Sequence, residues 1–225
     1  SCRAHTPISI LGKMFRYLAG QTKTNICCHI DHGYTLDECY EGIDSGFTSV
    51  MFDGSKLTLK ENIKISKKIA SRAHKYNISI EGEIGFVGYD NGKISEGTNI
   101  EDAVTFANKS NIDAMAISVG NTHLQTSKKA SIDFNKINLI EAKTKIPLVL
   151  HGSSGIPVEQ RKKLARKTKV AKLNIGTEIR MTFGEALRKN LKNNPKTYDR
   201  LQLLKPTIKD LTKVTKKIIK QIGPN

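Results

Sequence analysis

Hydrophobic positions along the chain recur in two alternating periods. Ile8, Leu11, Phe15 and Leu18 keep helical spacing and stop at Gly20, predicting a helix over 8–19. Short apolar runs predict strands over 25–30, 48–52, 78–83, 113–119, 146–150 and 170–175. Between them, amphipathic stretches predict helices from Thr35 through Ile43 and over 59–76, 100–110, 134–143, 157–167 and 176–191. Pro157 is expected at the first turn of its helix, where a missing N–H costs nothing. A Lys-rich stretch over 207–222 predicts a last helix, and Gly85 to Gly97 reads as a loop. Strands that alternate strictly with helices mean βα units and a parallel sheet. No repeat longer than that unit and no low-complexity linker divides the chain, so residues 1–225 read as one α/β domain.

Polar chemistry sits where the strands stop. The first strand runs out into Ile30-Asp31-His32-Gly33, the fourth into Gly120-Asn121-Thr122-His123, and the fifth into His151-Gly152-Ser153-Ser154-Gly155. In barrels and open α/β sheets, reactive groups occupy the carboxyl ends of strands. Three such ends, each with a histidine, point to one metal held by three imidazoles. Glu81 and Glu83 share a strand face by the two-residue period. Lys172-Leu173-Asn174-Ile175-Gly176-Thr177 is a strand feeding a helix start, where free N–H groups suit a phosphate. His5, His29 and His74 match no pattern and read as structural or exposed.

Composition narrows the class. The formal net charge is +16, yet the lysines are spread over nearly every helix and aromatics make up only 6% of residues. A nucleic-acid partner needs basic segments interleaved with stacking side chains, and none is present. The charge therefore reads as a solvated surface. No run of about 18 apolar residues occurs, so no membrane span is expected. Cys2, Cys27, Cys28 and Cys39 lack metal or redox spacing; reduced thiols in a cytoplasmic protein are the expectation. The N-terminus has neither signal- nor transit-peptide character and no Met, so the chain is expected to begin inside a longer one.

Six segments together resemble the class II, metal-dependent ketose-bisphosphate aldolases, which cleave fructose or tagatose bisphosphate. They are Ile30–Gly33, Gly46–Ser55, Ile80–Gly85, Val119–His123, Leu148–Pro157 and Lys172–Glu178, in family order and spacing. The resemblance implies a TIM (β/α)8 barrel, here incomplete with six recognisable strands and the N-terminal part missing. It implies a catalytic zinc on His32, His123 and His151, with Asp53 and Glu83 at a second or alternative cation position. It makes Asp31 the proton-transferring group. Gly152, Ser153, Ser154, Asn174, Ile175, Gly176 and Thr177 match positions that hold dihydroxyacetone phosphate, with Ser153 and Ser154 offering hydroxyl donors. Homo-oligomers, dimers or tetramers, are usual in the family. Two positions depart from its pattern: Leu124 stands where the family usually has Gly, and Asn91 where it has a Glu base. Asp90 is the candidate replacement for that base. Two functions follow: a working aldolase, or a relative that binds metal or sugar phosphate without turnover.

Overall fold

The computed structural model describes residues 5–90, 92, 95 and 97–223. Cys2 and Asn91 lie outside the described residues. Six parallel strands form one sheet in the order β1-β2-β3-β4-β5-β6. They are β1 (His29–Gly33), β2 (Ser49–Phe52), β3 (Ser79–Ile84), β4 (Ala114–Ile117), β5 (Leu148–Leu150) and β6 (Val170–Leu173). The helices are α1 (Ile8–Gly20), α2 (Leu36–Asp44), α3 (Leu59–Lys75), α4 (Ile100–Ser110), α5 (Phe134–Lys143), α6 (Val158–Lys167), α7 (Thr177–Asn193), α8 (Arg200–Leu204) and α9 (Thr207–Ile222). The sequential strand order with intervening helices is that of a barrel, here open between β1 and β6 among the described residues.

Local signals in the sequence set the helix starts. Thr35, Asn99 and Asp133 each accept a backbone N–H at the start of α2, α4 and α5. Thr58 and Glu61 form a reciprocal capping box on α3. Pro157 differs from expectation: it caps α6 from outside, with φ −54° and ψ 145°. A proline fits there because the cap position donates no intrahelical bond. The five-residue α8 was not foreseen; its Arg-Leu-Gln-Leu-Leu is too short to show a period.

The sheet separates two unequal cores. Its outer face packs against the helices through Ile30, Val50, Phe52, Ile80, Met115, Ile117, Leu148 and Leu150. Its inner face carries only Met51, Ala116 and Val149, with Ala114 against them. The remaining inner positions are polar. Lys172 Nζ on β6 reaches His29 Nε2 on β1 at 3.1 Å and Glu81 Oε2 on β3 at 2.6 Å, and His29 Nδ1 meets Ser49 Oγ at 2.8 Å. The curved sheet thus brings its two edge strands together across the interior through one lysine.

The largest departure from the sequence reading is at β1. The expected strand over 25–30 starts at His29 and runs to Gly33, so Asp31 and His32 lie within it. The β1–β2 register slips between Ile30 and Gly33, which pair with Val50 and Phe52. This is one extra residue, a β-bulge, and His32 takes a left-handed φ of 54° in it. Adjacent residues of a regular strand face opposite sides. The bulge allows Asp31 and His32 to line the same cavity.

Candidate active site

The carboxyl ends of β1, β4, β5 and β6 surround a cavity of about 520 Å³. His32, His123 and His151 line it, with Asp31, Lys172, Asn174, Gly176 and Thr177. The ring centroids of His32 lie 4.6 Å from His151 and 5.3 Å from His123, and those of His123 and His151 lie 5.9 Å apart. One nitrogen from each ring falls within 4.8 Å of the others. His32 Nε2 and His151 Nδ1 are 2.9 Å apart.

The outward nitrogens of two rings are held by acids. His32 Nδ1 meets Asp53 Oδ2 at 2.8 Å, and His151 Nε2 meets Glu81 Oε1 at 2.8 Å. A carboxylate on one ring nitrogen fixes the imidazole so that the other faces a metal. Asp53 is fixed in turn by the Ser55 hydroxyl, which donates to Oδ1 at 2.6 Å. Partial burial pushes Asp53 up, but hydrogen bonds from His32 and Ser55 hold it below the usual range. Burial also pushes Glu81 up, and its bond to His151 together with Lys172 brings it down to about 2. Burial, with His32 and His151 nearby, lowers His123 to about 4, so this imidazole is neutral at pH 7 and able to ligate.

Glu83 is the acid of the cluster that Lys172 does not reach among the described contacts. Burial, with Asp53 and Glu81 nearby, drives its carboxyl well above the ordinary range. Its Oε2 is buried with no hydrogen-bond partner among the described residues and lies 3.7 Å from His32 Nδ1. His32, Asp53 and Glu83 form a second group able to hold a cation. The converging ring nitrogens and this orphaned oxygen fit a divalent cation, and the all-imidazole set fits zinc.

Asp31 is the exposed acid of the cluster, with 58% of its side chain accessible. Its oxygen lies 3.8 Å from His151 Nδ1 and 4.0 Å from His32 Nε2, and accepts from Asn174 Nδ2 at 3.1 Å. Desolvation acts to raise its pKa, but His151, His32 and Lys172 pull it below the usual range, so it is ionised at neutral pH.

The turn after β5 behaves only partly as expected. Gly152 sits at φ 63°, and a Cβ there would lie 2.3 Å from the Thr122 carbonyl oxygen. Only glycine fits, because the turn rests on the backbone beside His123. Ser154 Oγ accepts the Glu178 N–H at 3.1 Å, which leaves its own O–H able to donate into the cavity it lines. Ser153 does not fit the donor role. It is fully buried, its hydroxyl donates to Leu150 O at 2.8 Å, and its N–H to Asn174 O at 3.0 Å.

Asp90 does not fit the role of replacement base either. It lines a neighbouring cavity with Ser95, Asp133 and Lys136 and is not among the residues lining the histidine cavity, whereas Tyr89 lines both. Its N–H binds the His123 carbonyl at 3.1 Å, which fixes the loop in that orientation. Leu124 lines the histidine cavity in a left-handed conformation, φ 57°, where a side chain is strained. His29 and Lys172 were not foreseen as part of the site. Strand parity could have shown them, since His29 shares a face with Asp31 and Lys172 with Asn174.

Comparison with known proteins bears on the family and the fold. The chain matches the family model described as fructose-bisphosphate aldolase class-II over residues 1–225. A 6-phospho-5-dehydro-2-deoxy-D-gluconate aldolase of Shouchella clausii is 36% identical over 201 residues, 88% of this chain and 68% of that protein. A fructose-bisphosphate aldolase of Staphylococcus aureus is 33% identical over 202 residues, 88% of this chain and 70% of that protein. The crystal structure of the YdjI aldolase from Escherichia coli superimposes with a TM-score of 0.81 at 26% identity, covering 98% of this chain and 78% of that one. The chain spans about two thirds of the length of these curated relatives. This protein belongs to the class II fructose-bisphosphate aldolase family.

Proposed function

We propose that this chain carries the site of a zinc-dependent aldolase that cleaves a phosphorylated ketose. The observation that carries the reading is the convergence of His32, His123 and His151, with the Asp31 carboxylate within 4.0 Å of two of the rings. His32, His123 and His151 would hold the zinc ion, which would supply a Lewis acid for the negative charge that develops on the substrate. In cleavage Asp31 takes the proton from the hydroxyl on the carbon beside the breaking bond, the carbon–carbon bond breaks, and the carbanion left on the dihydroxyacetone phosphate fragment takes a proton from solvent water; condensation reverses each step. Asn174, donating to Asp31, orients the carboxylate for that transfer. The phosphate is bound by the Ser154 hydroxyl and the N–H groups at Gly176 and Thr177, with Gly152 and Ile175 shaping the wall. The second cation position uses Asp53 and Glu83.

Substrate candidates are fructose bisphosphate, tagatose bisphosphate and, from the names of the relatives, 6-phospho-5-dehydro-2-deoxygluconate. Each has a ketone next to a phosphorylated terminal carbon, and cleavage of each releases dihydroxyacetone phosphate. The test is a coupled assay with zinc, following release of that triose phosphate by NADH oxidation over the three substrates. Turnover of one supports the reading, and silence with all three over a range of divalent metals removes it. The alternative is a relative that binds without turnover, favoured by the poor fit of Asp90 as a base. Phosphosugar binding by calorimetry that is unchanged in Asp31→Ala, with no product, selects it. Residues 1–225 acting as one domain and self-association into a homo-oligomer complete the proposal; light scattering reads the latter.

A further inference from the structure

Arg161 has the largest side chain among the fully buried residues described. It lies on α6, on the face turned into the protein, where an apolar residue would complete the pattern with Leu164. A guanidinium cannot shed its charge to enter the interior, so it needs partners there. One nitrogen, Nη2, provides both contacts: it donates to the Ser154 carbonyl at 2.7 Å and to Glu178 Oε2 at 2.6 Å. Nε and Nη1 are buried with no partner among the described residues. A buried ion pair left half satisfied is a poor source of stability, and apolar replacements of such pairs are often tolerated.

Its contacts point to another role. Glu178 stands in the first turn of α7, immediately after Gly176 and Thr177. Ser154 belongs to the turn after β5. The same two residues are also joined directly, Glu178 N–H to Ser154 Oγ at 3.1 Å. Lys128, from the loop after His123, reaches Glu178 Oε2 at 3.0 Å. Glu178 thus gathers the segments that follow β4, β5 and β6, and Arg161 fixes it against the Ser154 peptide from behind.

We infer that Arg161 is a positioning residue, which through Glu178 and the Ser154 carbonyl holds the β5 turn and the start of α7 at the spacing a phosphate requires. The inference rests on the phosphate assignment of those two segments made above. Arg161 lines no part of the histidine cavity, so it acts only through the backbone it orients.

The test compares wild type with Arg161→Met, Arg161→Lys and the double variant Arg161→Met/Glu178→Met, which leaves no unpaired buried charge if the single variant folds poorly. Each zinc-loaded protein is titrated with inorganic phosphate by calorimetry, zinc content is measured, and KM and kcat are read for the ketose phosphate that is turned over. For Arg161→Met and the double variant the expectation is phosphate affinity at least tenfold weaker and KM raised to match, with zinc content at the wild-type level and kcat within about threefold; loss confined to KM marks binding shared by ground and transition states. Arg161→Lys is expected to recover part of the affinity, because a single Nζ can make both bonds that Nη2 makes. Wild-type phosphate affinity in Arg161→Met and in the double variant overturns the inference, as does loss of zinc in step with loss of phosphate. Wild type that binds no phosphate overturns the phosphate assignment itself, a result distinct from either.

Discussion

Two residues next to the histidines carry separable roles. Asp31 is the ionised, accessible acid of the cluster, so Asp31→Asn is expected to cut kcat by about 10²–10⁴ while zinc content holds; a drop below threefold in the coupled assay refutes its role. Leu124 is held at φ 57° with half its side chain exposed, so it contributes little packing and bears backbone strain. Leu124→Gly is expected to stabilise the fold by about 1 kcal/mol, read as a higher urea midpoint. Glu178 gives a pH dependence. Desolvation acts to raise its carboxyl, but bonds from Arg161 and Lys128 hold it below its reference of 4.5. A depressed folded pKa gives stability that is present above the unfolded value and lost as pH falls through the folded one. The stability gap between wild type and Glu178→Gln should therefore be widest at neutral pH and shrink below about pH 4.5. A gap that stays constant between pH 7 and 3.5 in thermal melts refutes it.

At the scale of elements, helices were the more legible. Thr35, Thr58, Asn99 and Asp133 announce their helices because a cap is a contact within three residues. Thr58→Ala, which removes the side-chain half of the α3 capping box and leaves the residue-58 N–H on Glu61, is expected to cost about 1 kcal/mol in denaturant melts. Strand ends were less legible. The β1 bulge depends on how Ile30 and Gly33 pair with β2, about twenty residues later, and no local pattern near Asp31 encodes it. The same limit explains Ser153 and Ser154. As letters they are equivalent donors, yet the tight turn sends one hydroxyl to Leu150 and leaves the other on the cavity wall.

Across the whole molecule, the site draws on distant parts of the chain. The inner face of the sheet has few apolar residues and holds instead the His29–Lys172–Glu81–His151 series. Such an interior needs its charges matched, and Glu83, with an oxygen unpartnered among the described residues, marks where a cation would match them. Zinc should therefore couple to the stability of the entire fold: at a thousandfold excess over its Kd it adds about 4 kcal/mol. Thermal melts with zinc against EDTA should show a matching shift that His151→Ala abolishes. Equal melting temperatures in the two buffers would exclude a preformed site. No described helix is long and apolar enough to cross a membrane.

The sequence by itself determined the alternation of strands and helices, the opening of α2 at Thr35, and which side chains gather at strand ends. Those features rest on periodicity and on contacts a few residues apart. Only the tertiary structure decided that Asp31 and His32 line one cavity, that Asp90 lines another, that Ser153 is spent inside its turn, and that Arg161 reaches Glu178. Each of these depends on the register and curvature of the sheet, which bring together residues far apart in the chain.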